Sequence, residues 1–409
     1  MRSPFGSGVL MPRRRLAALA ACLLLLASGP ATHAAARPLQ QQPAGGGAKK
    51  APFFDEISFE GSALLITYYS GVAEVLIGRG ALVPGTTPLS GLSGGALTAA
   101  VTTLGMGGAA QRDGWMGMVK DCAKRWGTCA GRLNTVVTER LRSALPDDAA
   151  AKLGSVVRVG LSQLDAQSRA FNGSASWVVG AFDDKADVVS ALTATDFIPC
   201  FSGPTTYTLF RDQPVIDGGY ANGFQQLCRN VSSCLTIGSY VVGPLANHTC
   251  DAAACPNLAK SGCGSDGRAE PIPQTLFKNG PVAAQWKVSA LRDRCPASAF
   301  AAGADTAPYP LPGMVPQSQT DPWIHPGKFN PLPVKPWDGK RVAACEWQEW
   351  ALSPPPEHAL DIMQLTYAQG VRDAESWADA NGFPAVKAAG ADKPQAASGG
   401  AKPQAAARA

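Results

Sequence analysis

The sequence predicts an α/β fold, a mostly parallel central sheet covered by helices, and three observations carry that prediction. Two strand, glycine turn and helix units follow one another within about fifty residues of Asp55. Further β-branched strands alternate with helical periodicities as far as Val242, and a helical repeat of apolar residues returns over Glu357 to Ala380. Composition agrees: of 409 residues, 45% are hydrophobic and 16% charged, which excludes a coiled coil or a disordered acidic chain. The net charge of +5 is unevenly spread. Residues 1–54 hold 7 basic and no acidic side chains, and 384–409 hold 4 basic and 1 acidic, leaving 25 basic against 30 acidic in 55–383. The folded body is therefore mildly acidic, and the basic ends give no argument for a nucleic-acid partner.

Residues 1–36 read as a cleaved secretory signal. Arg13, Arg14 and Arg15 precede the apolar run Leu16 to Ala27, and the small residues Ala34, Ala35 and Ala36 follow. An organelle transit peptide is the other reading of an acid-free, Arg-containing leader. The apolar run is too short to span a bilayer, so no transmembrane segment is expected in the mature chain. Residues 37–54 and 384–409 are Pro/Gly/Ala-rich and read as a disordered linker and tail. One domain is expected over 55–383.

Within it, Ile57-Ser58-Phe59 reads as a strand ending at Gly61. Leu64, Tyr68, Val72 and Val75/Leu76 then recur at helical spacing up to Gly78. A second unit has a strand near Pro88 to Ser90, a turn over Gly91 to Gly95 and a small-residue helix Ala96 to Leu104. Leu133 to Ala144 reads as a helix, Val156 to Leu161 and Ser176 to Phe182 as strands, and Asp183 to Ala194 as a helix with Asp in its first turn. Val215-Ile216 is a strand running into Asp217-Gly218-Gly219, and Leu235 to Val242 another. From 296 to 356 the pattern stops, with 13 of the 33 prolines and four tryptophans, and reads as a long irregular excursion. Cys22 lies in the leader. The other ten cysteines, five of them in a Cys-rich loop region 228–263, suggest disulfides. The sequons at Asn172, Asn230 and Asn247 suggest a glycoprotein of the secretory pathway. No Cys-x-x-Cys pair occurs and three histidines remain after the leader, so neither a metal nor another cofactor is expected.

The chemistry centres on Gly91-Leu92-Ser93-Gly94-Gly95, a Gly-x-Ser-x-Gly between a strand and a helix. Such glycines permit a sharp turn that presents the serine hydroxyl beside the positive end of a helix. The pentapeptide also arises by chance in a Gly-rich chain, so its setting decides. An α/β-hydrolase places several strands before this turn, and the stretch from Asp55 to Ser93 holds only one or two. His248 lies in a sequon, His325 in the Pro-rich excursion and His358 at a helix start, so none is marked as a base. The remaining strand-end acid is Asp217, and a carboxylate can act as base where its surroundings raise its pKa.

These segments resemble the patatin-like phospholipases, acyl hydrolases with a Ser-Asp dyad and no histidine. "ISFEGSALLITYYSGVAEVLIGRG" is similar to their opening strand, oxyanion turn and first helix. "LSGLSGGALTAA" resembles their nucleophile segment, "ALTATDFIPCF" the segment before the acid, and "VIDGGYANG" the dyad aspartate segment. The resemblance covers roughly residues 55 to 225. It implies a three-layer fold with helices on both sheet faces, Ser93 as nucleophile and Asp217 as base, and an oxyanion hole from Gly61, Ser62, Ala63 and Gly94. Gly91, Gly95, Gly218 and Gly219 complete the motifs. It further implies hydrolysis of phospholipid, galactolipid or acylglycerol esters at a membrane or droplet surface. The family's oxyanion turn is richer in glycine than Gly61-Ser62-Ala63, and Glu60 beside it reads as a solvated turn residue. An inactive binding or storage glycoprotein, and an esterase with a histidine-containing triad, are the competing readings.

Overall fold

The computed structural model describes residues 53–165 except 128 and 130, residues 176–241 except 200, 204, 206, 223–226 and 229–230, and residues 323–384 except 352–353. The leader, most of the linker and Cys-rich region, the first part of the Pro-rich excursion, the tail and all three sequons lie outside the described residues. A central seven-stranded sheet runs β5-β6-β3-β2-β1-β7, with β4 also paired to β3. Its strands are β1 (Glu56–Phe59), β2 (Leu89–Leu92), β3 (Val157–Gln163), β4 (Ser176–Val179), β5 (Thr208–Phe210), β6 (Gln213–Ile216) and β7 (Cys234–Ile237). The contiguous strands β7, β1, β2 and β3 are parallel, while β4 and β6 run antiparallel to β3 and β5 antiparallel to β6. The α/β alternation expected from the sequence holds, with the antiparallel strands gathered on the β3 side.

Every residue of β1 and β2 is buried, so both faces of the sheet centre are covered. One face carries Ile57, Phe59, Leu89, Val157, Val159, Leu235 and Ile237, which belong to the main hydrophobic cluster. The other carries Ser58, Ser90 and Arg158 in register, and Arg158 pairs there with the buried carboxyl of Glu56.

The helices are α1 (Ile66–Gly78, after a 3-10 turn Ala63–Leu65), α2 (Gly94–Thr103), α3 (Gly108–Trp126), α4 (Leu133–Ala144), α5 (Ala149–Leu153), α6 (Lys185–Thr195), α7 (Gly219–Asn222), α8 (Ala344–Glu349) and α9 (Ala359–Ala380). Helix α1 is apolar nearly all round because it is enclosed. Helix α4 buries Leu133, Val136, Val137 and Leu141, one stripe at helical spacing. Helix α6 starts at Asp184, whose side chain accepts the Asp187 N–H at 2.8 Å. Two differences from the sequence reading stand out. Helix α3 was not foreseen, because Gly114 and Gly117 interrupt its pattern. The 296–356 stretch also contains a regular element, α8, whose Trp347 donates to the Ser239 carbonyl at 2.8 Å. The folded body also reaches back to Phe54, which is buried, while Phe53 stacks edge-on to Phe383.

Helices α1 and α9 cross at two glycines. A Cβ on Gly71 would lie 2.2 Å from the Tyr367 carbonyl oxygen, and one on Gly370 would lie 2.1 Å from that of Tyr68. Beside the crossing Thr67 and Thr366 share a hydrogen bond of 2.6 Å, and Tyr68 Oη donates to Asp373 Oδ2 at 3.0 Å. Disulfides join Cys122 to Cys129 and Cys228 to Cys234. Among the described residues no helix is long and apolar enough to cross a membrane. Because backbone meets backbone at the crossing, Gly370→Ala must push the helices apart. We expect a loss of roughly 1–3 kcal/mol or more in urea unfolding, against a gain of about 0.5–1 kcal/mol for Ala substituted at the open Gly114 inside helix α3.

Candidate active site

The turns that follow β1 and β2 both lie at the carboxyl ends of parallel strands, where ligands bind in open α/β sheets. Ser93 sits between β2 and α2 with φ 51° and ψ −132°, a conformation that L-residues with a Cβ rarely adopt. The strain is enforced by close approach. A Cβ on Gly91 would meet the Gly95 carbonyl carbon at 2.4 Å, one on Gly95 the Glu60 oxygen at 2.2 Å, and one on Gly94 the Ser62 Oγ at 2.2 Å. The serine turn is thus seated against the turn after β1.

That second turn presents N–H groups. Tyr69 Oη and Ser239 Oγ donate to the Gly61 carbonyl at 3.3 and 3.4 Å, and the Ser62 carbonyl accepts the Leu65 N–H at 3.0 Å. In planar trans peptides the N–H groups of Ser62 and Ala63 then point the opposite way. Among the described residues, no hydrogen bond is donated by the N–H of Gly61, Ser62, Ala63 or Gly94. Ala63 has φ 46°, the left-handed region for which glycine is suited, at a cost of about 1 kcal/mol. The backbone therefore takes this conformation with a Cβ present. The N–H of Ser93 itself is occupied, donating to Thr195 Oγ1 at 2.9 Å, while Thr195 Oγ1 donates to the Gly160 carbonyl.

Two carboxyls stand at the serine. Ser93 Oγ donates to Asp196 Oδ1 at 3.1 Å, and Asp217 is near enough for the same hydroxyl to stabilise its charge. Asp217 Oδ1 accepts the Gly219 N–H at 2.8 Å, and its carbonyl accepts from Ser162 Oγ at 2.7 Å. A backbone clamp fixes one acid against the other: Asp217 N–H donates to the Phe197 carbonyl at 2.8 Å and Gly218 N–H to that of Thr195 at 3.0 Å. Gly218 is confined too, since a Cβ there would lie 2.1 Å from the Gly160 oxygen.

Burial pushes Asp217 up to about 7, partly offset by Ser93 and the Gly219 N–H. Burial, then the neighbouring charge of Asp217, pushes Asp196 up to about 8. Glu60 is buried as well and is pushed by desolvation to about 8, so the solvated role expected for it is corrected. A neutral Glu60 at pH 7 places no full charge beside the neighbouring N–H groups.

A narrow opening of about 20 Å³, room for roughly one water, lies beside this cluster. It is lined by Ala63, Gly94 and Asp196 together with apolar residues that include Leu97, Trp115, Met118, Val137 and Phe201. The described histidines are engaged elsewhere. His325 Nδ1 lies 3.0 Å from the Pro326 oxygen, and His358 stacks on Trp337. His248 lies outside the described residues. Asp196 had no role in the sequence reading. Its signal was present, however: it is the C-cap of α6, where the helix dipole disfavours a carboxylate.

The site and fold together define an α/β protein with a buried, strained serine beside two carboxyls, one of which, Asp196, lines a narrow apolar opening. No protein-family model matches the chain, and no curated protein sequence matches it. Among solved structures the chain is similar to VipD from Legionella pneumophila, at 10% identity and a TM-score of 0.31, with 79% of this chain and 67% of that one covered. A likeness at that level lends no support to a function.

The buried acids make stability depend on pH. Glu60 keeps its proton when folded up to about 8 but gives it up near its ordinary 4.5 when unfolded, so the unfolded state binds fewer protons between those values. Stability should therefore fall as pH rises from about 5 to about 8. Glu60→Gln should flatten that slope, gaining on the order of 1 kcal/mol or more at pH 8 relative to pH 5 in urea titrations.

Proposed function

We propose that the chain is a lipid acyl hydrolase that cleaves carboxylic esters of phospholipids, galactolipids or acylglycerols through an acyl-enzyme. The observation that carries this reading is the strained Ser93, hydrogen-bonded to the buried Asp196, which itself lines a narrow apolar opening. Ser93 Oγ attacks the ester carbonyl while Asp217 takes its proton, and the free N–H groups of the Gly61–Ala63 turn and Gly94 receive the oxyanion. The alcohol leaves with the proton from Asp217, and water, activated by the same carboxylate, releases the acid. The apolar side chains lining the narrow opening part to receive the acyl chain.

The two disulfides support a secreted or lumenal setting, since such bonds persist in oxidising compartments. No cofactor enters the mechanism, and the substrate would be presented at a membrane or droplet surface.

The test is release of fatty acid from a phospholipid, galactolipid and triacylglycerol panel, beside p-nitrophenyl esters. Ser93→Ala and Asp217→Asn should each lower kcat/KM by about 10³-fold or more with the thermal midpoint largely kept. Near-wild-type turnover in either variant would remove that residue from the mechanism.

Chain-length selection gives a second check. Met118 is a cavity wall, so Met118→Phe should shorten the cavity and Met118→Ala lengthen it. Profiled over p-nitrophenyl esters of increasing chain length, the two variants should shift in opposite directions, each disfavoured chain losing about tenfold in kcat/KM. Parallel shifts would mean that the acyl chain lies elsewhere.

A further inference from the structure

Asp196 meets Ser93 more directly than a structural role requires. It receives the serine hydroxyl at 3.1 Å, lines the narrow opening together with Ala63 and Gly94, and is locked to Asp217 by the backbone clamp. Its position at the C-terminal end of α6 turns the negative end of the helix toward it. Among the described residues no lysine, arginine or histidine acts on either carboxyl. Two full negative charges in such a place, with no cation to offset them, are strongly disfavoured.

We propose that Asp196 is a second catalytic carboxyl that shares a single proton with Asp217 across Ser93, so that the working enzyme carries one negative charge on the pair. This rests on the hydrolase reading and deepens it. In the working form Asp217 is ionised and Asp196 is a neutral acid. The serine hydroxyl first turns from Asp196 to Asp217; as Ser93 Oγ bonds to the carbonyl carbon, its proton passes to Asp217 and the carbonyl π pair moves to oxygen. On collapse the bond to the alcohol oxygen breaks and that oxygen takes the proton from Asp217. Asp196 keeps its proton throughout. Because Asp196 lines the same narrow opening as Ala63 and Gly94, its neutrality keeps a second negative charge away from the developing oxyanion.

The pair gives kcat/KM two limbs. Activity rises with pH as the first proton leaves, which frees the base, and falls as the second leaves, which places a charge beside the oxyanion. Both limbs lie above the ordinary carboxylate range, because burial raises both acids. Of the other titratable groups nearby, Tyr240 beyond β7 feels the charge of Asp217, and Glu60 after β1 acts on Tyr240 and on Tyr69 of α1. Burial raises the pKa of both tyrosines further, so they stay neutral through this range, whereas Glu60 titrates within it.

The experiment is the pH dependence of kcat/KM on a soluble p-nitrophenyl ester for the wild type, Asp196→Asn, Asp196→Ser, Asp217→Asn and Glu60→Gln, with fluorophosphonate labelling of Ser93 as an independent readout. Both neutral variants at 196 should keep the acid limb and lose the alkaline one, giving a plateau where the wild type falls about tenfold per pH unit. Glu60→Gln should keep both limbs. The pair is overturned if a folded variant at 196 keeps the alkaline limb, if Glu60→Gln alone removes it, or if both variants at 196 are as inactive as Asp217→Asn, which would make Asp196 the base. A wild-type chain that neither hydrolyses the ester nor takes the label removes the hydrolase reading itself. An active wild type with an unaltered profile in the 196 variants removes only the pair.

Discussion

Backbone-to-backbone contact between the turns after β1 and β2 is the constraint on which the rest of the site depends. Gly95 lies against the carbonyls of Phe59 and Glu60, and Gly91 against Gly95, with no room for a methyl group at either. The serine turn must therefore bend sharply, which gives Ser93 its unusual backbone and aims its hydroxyl at the acids. The same contact sets Gly94 beside Ser62 and Ala63, so the candidate nucleophile and the candidate oxyanion donors share one rigid seat. A strained conformation persists only where its surroundings over-determine it. Here parallel pairing of β1 with β2 and the packing of α1 and α2 supply that determination.

The electrostatics follow from dryness. Glu60, Asp196 and Asp217 are all shielded from water, and desolvation is the leading influence on each. Elsewhere the chain treats buried acids differently. Glu56 has Arg158, and Asp373 is surrounded by Tyr68, Asn330 and Gln369, which hold it near 6 against burial. At the serine the relief found among the described residues is the Ser93 hydroxyl and the Gly219 N–H. A group that must accept a proton near neutral pH needs such an environment, because a well-solvated carboxylate is too weak a base.

Much of this was legible in the sequence where local rules act alone. The two βα units near the start, the stripe on α4 and the face of α9 appear where their apolar spacing puts them, because each is short in range and strongly periodic. Gly-x-Ser-x-Gly and Asp-Gly-Gly drew attention to Ser93 and Asp217, and the fold brings them together. Helix α3 escaped because its internal glycines carry no structural demand, Gly114 facing open space. Glu60 was misplaced because burial of a charged residue is decided by distant packing, in this case by Tyr69, Tyr240 and the serine turn. Asp196 was quoted within a motif and assigned nothing, although an acid ending a helix breaks a local preference. Such breaks concentrate at functional sites.

The turn after β1 is also held from far along the chain: the Leu64 N–H donates to the carbonyl of Ala351 at 2.9 Å. Ala351 lies just past α8, whose Trp347 binds the Ser239 carbonyl, and Ser239 in turn holds the Gly61 carbonyl. A growing chain that has emerged only as far as Asp217 thus owns every residue of the candidate chemistry but not the brace that holds the turn after β1. The order of synthesis therefore becomes a sequence of assembly: the turn beside Ser93 gains its last support only after residue 351 has docked.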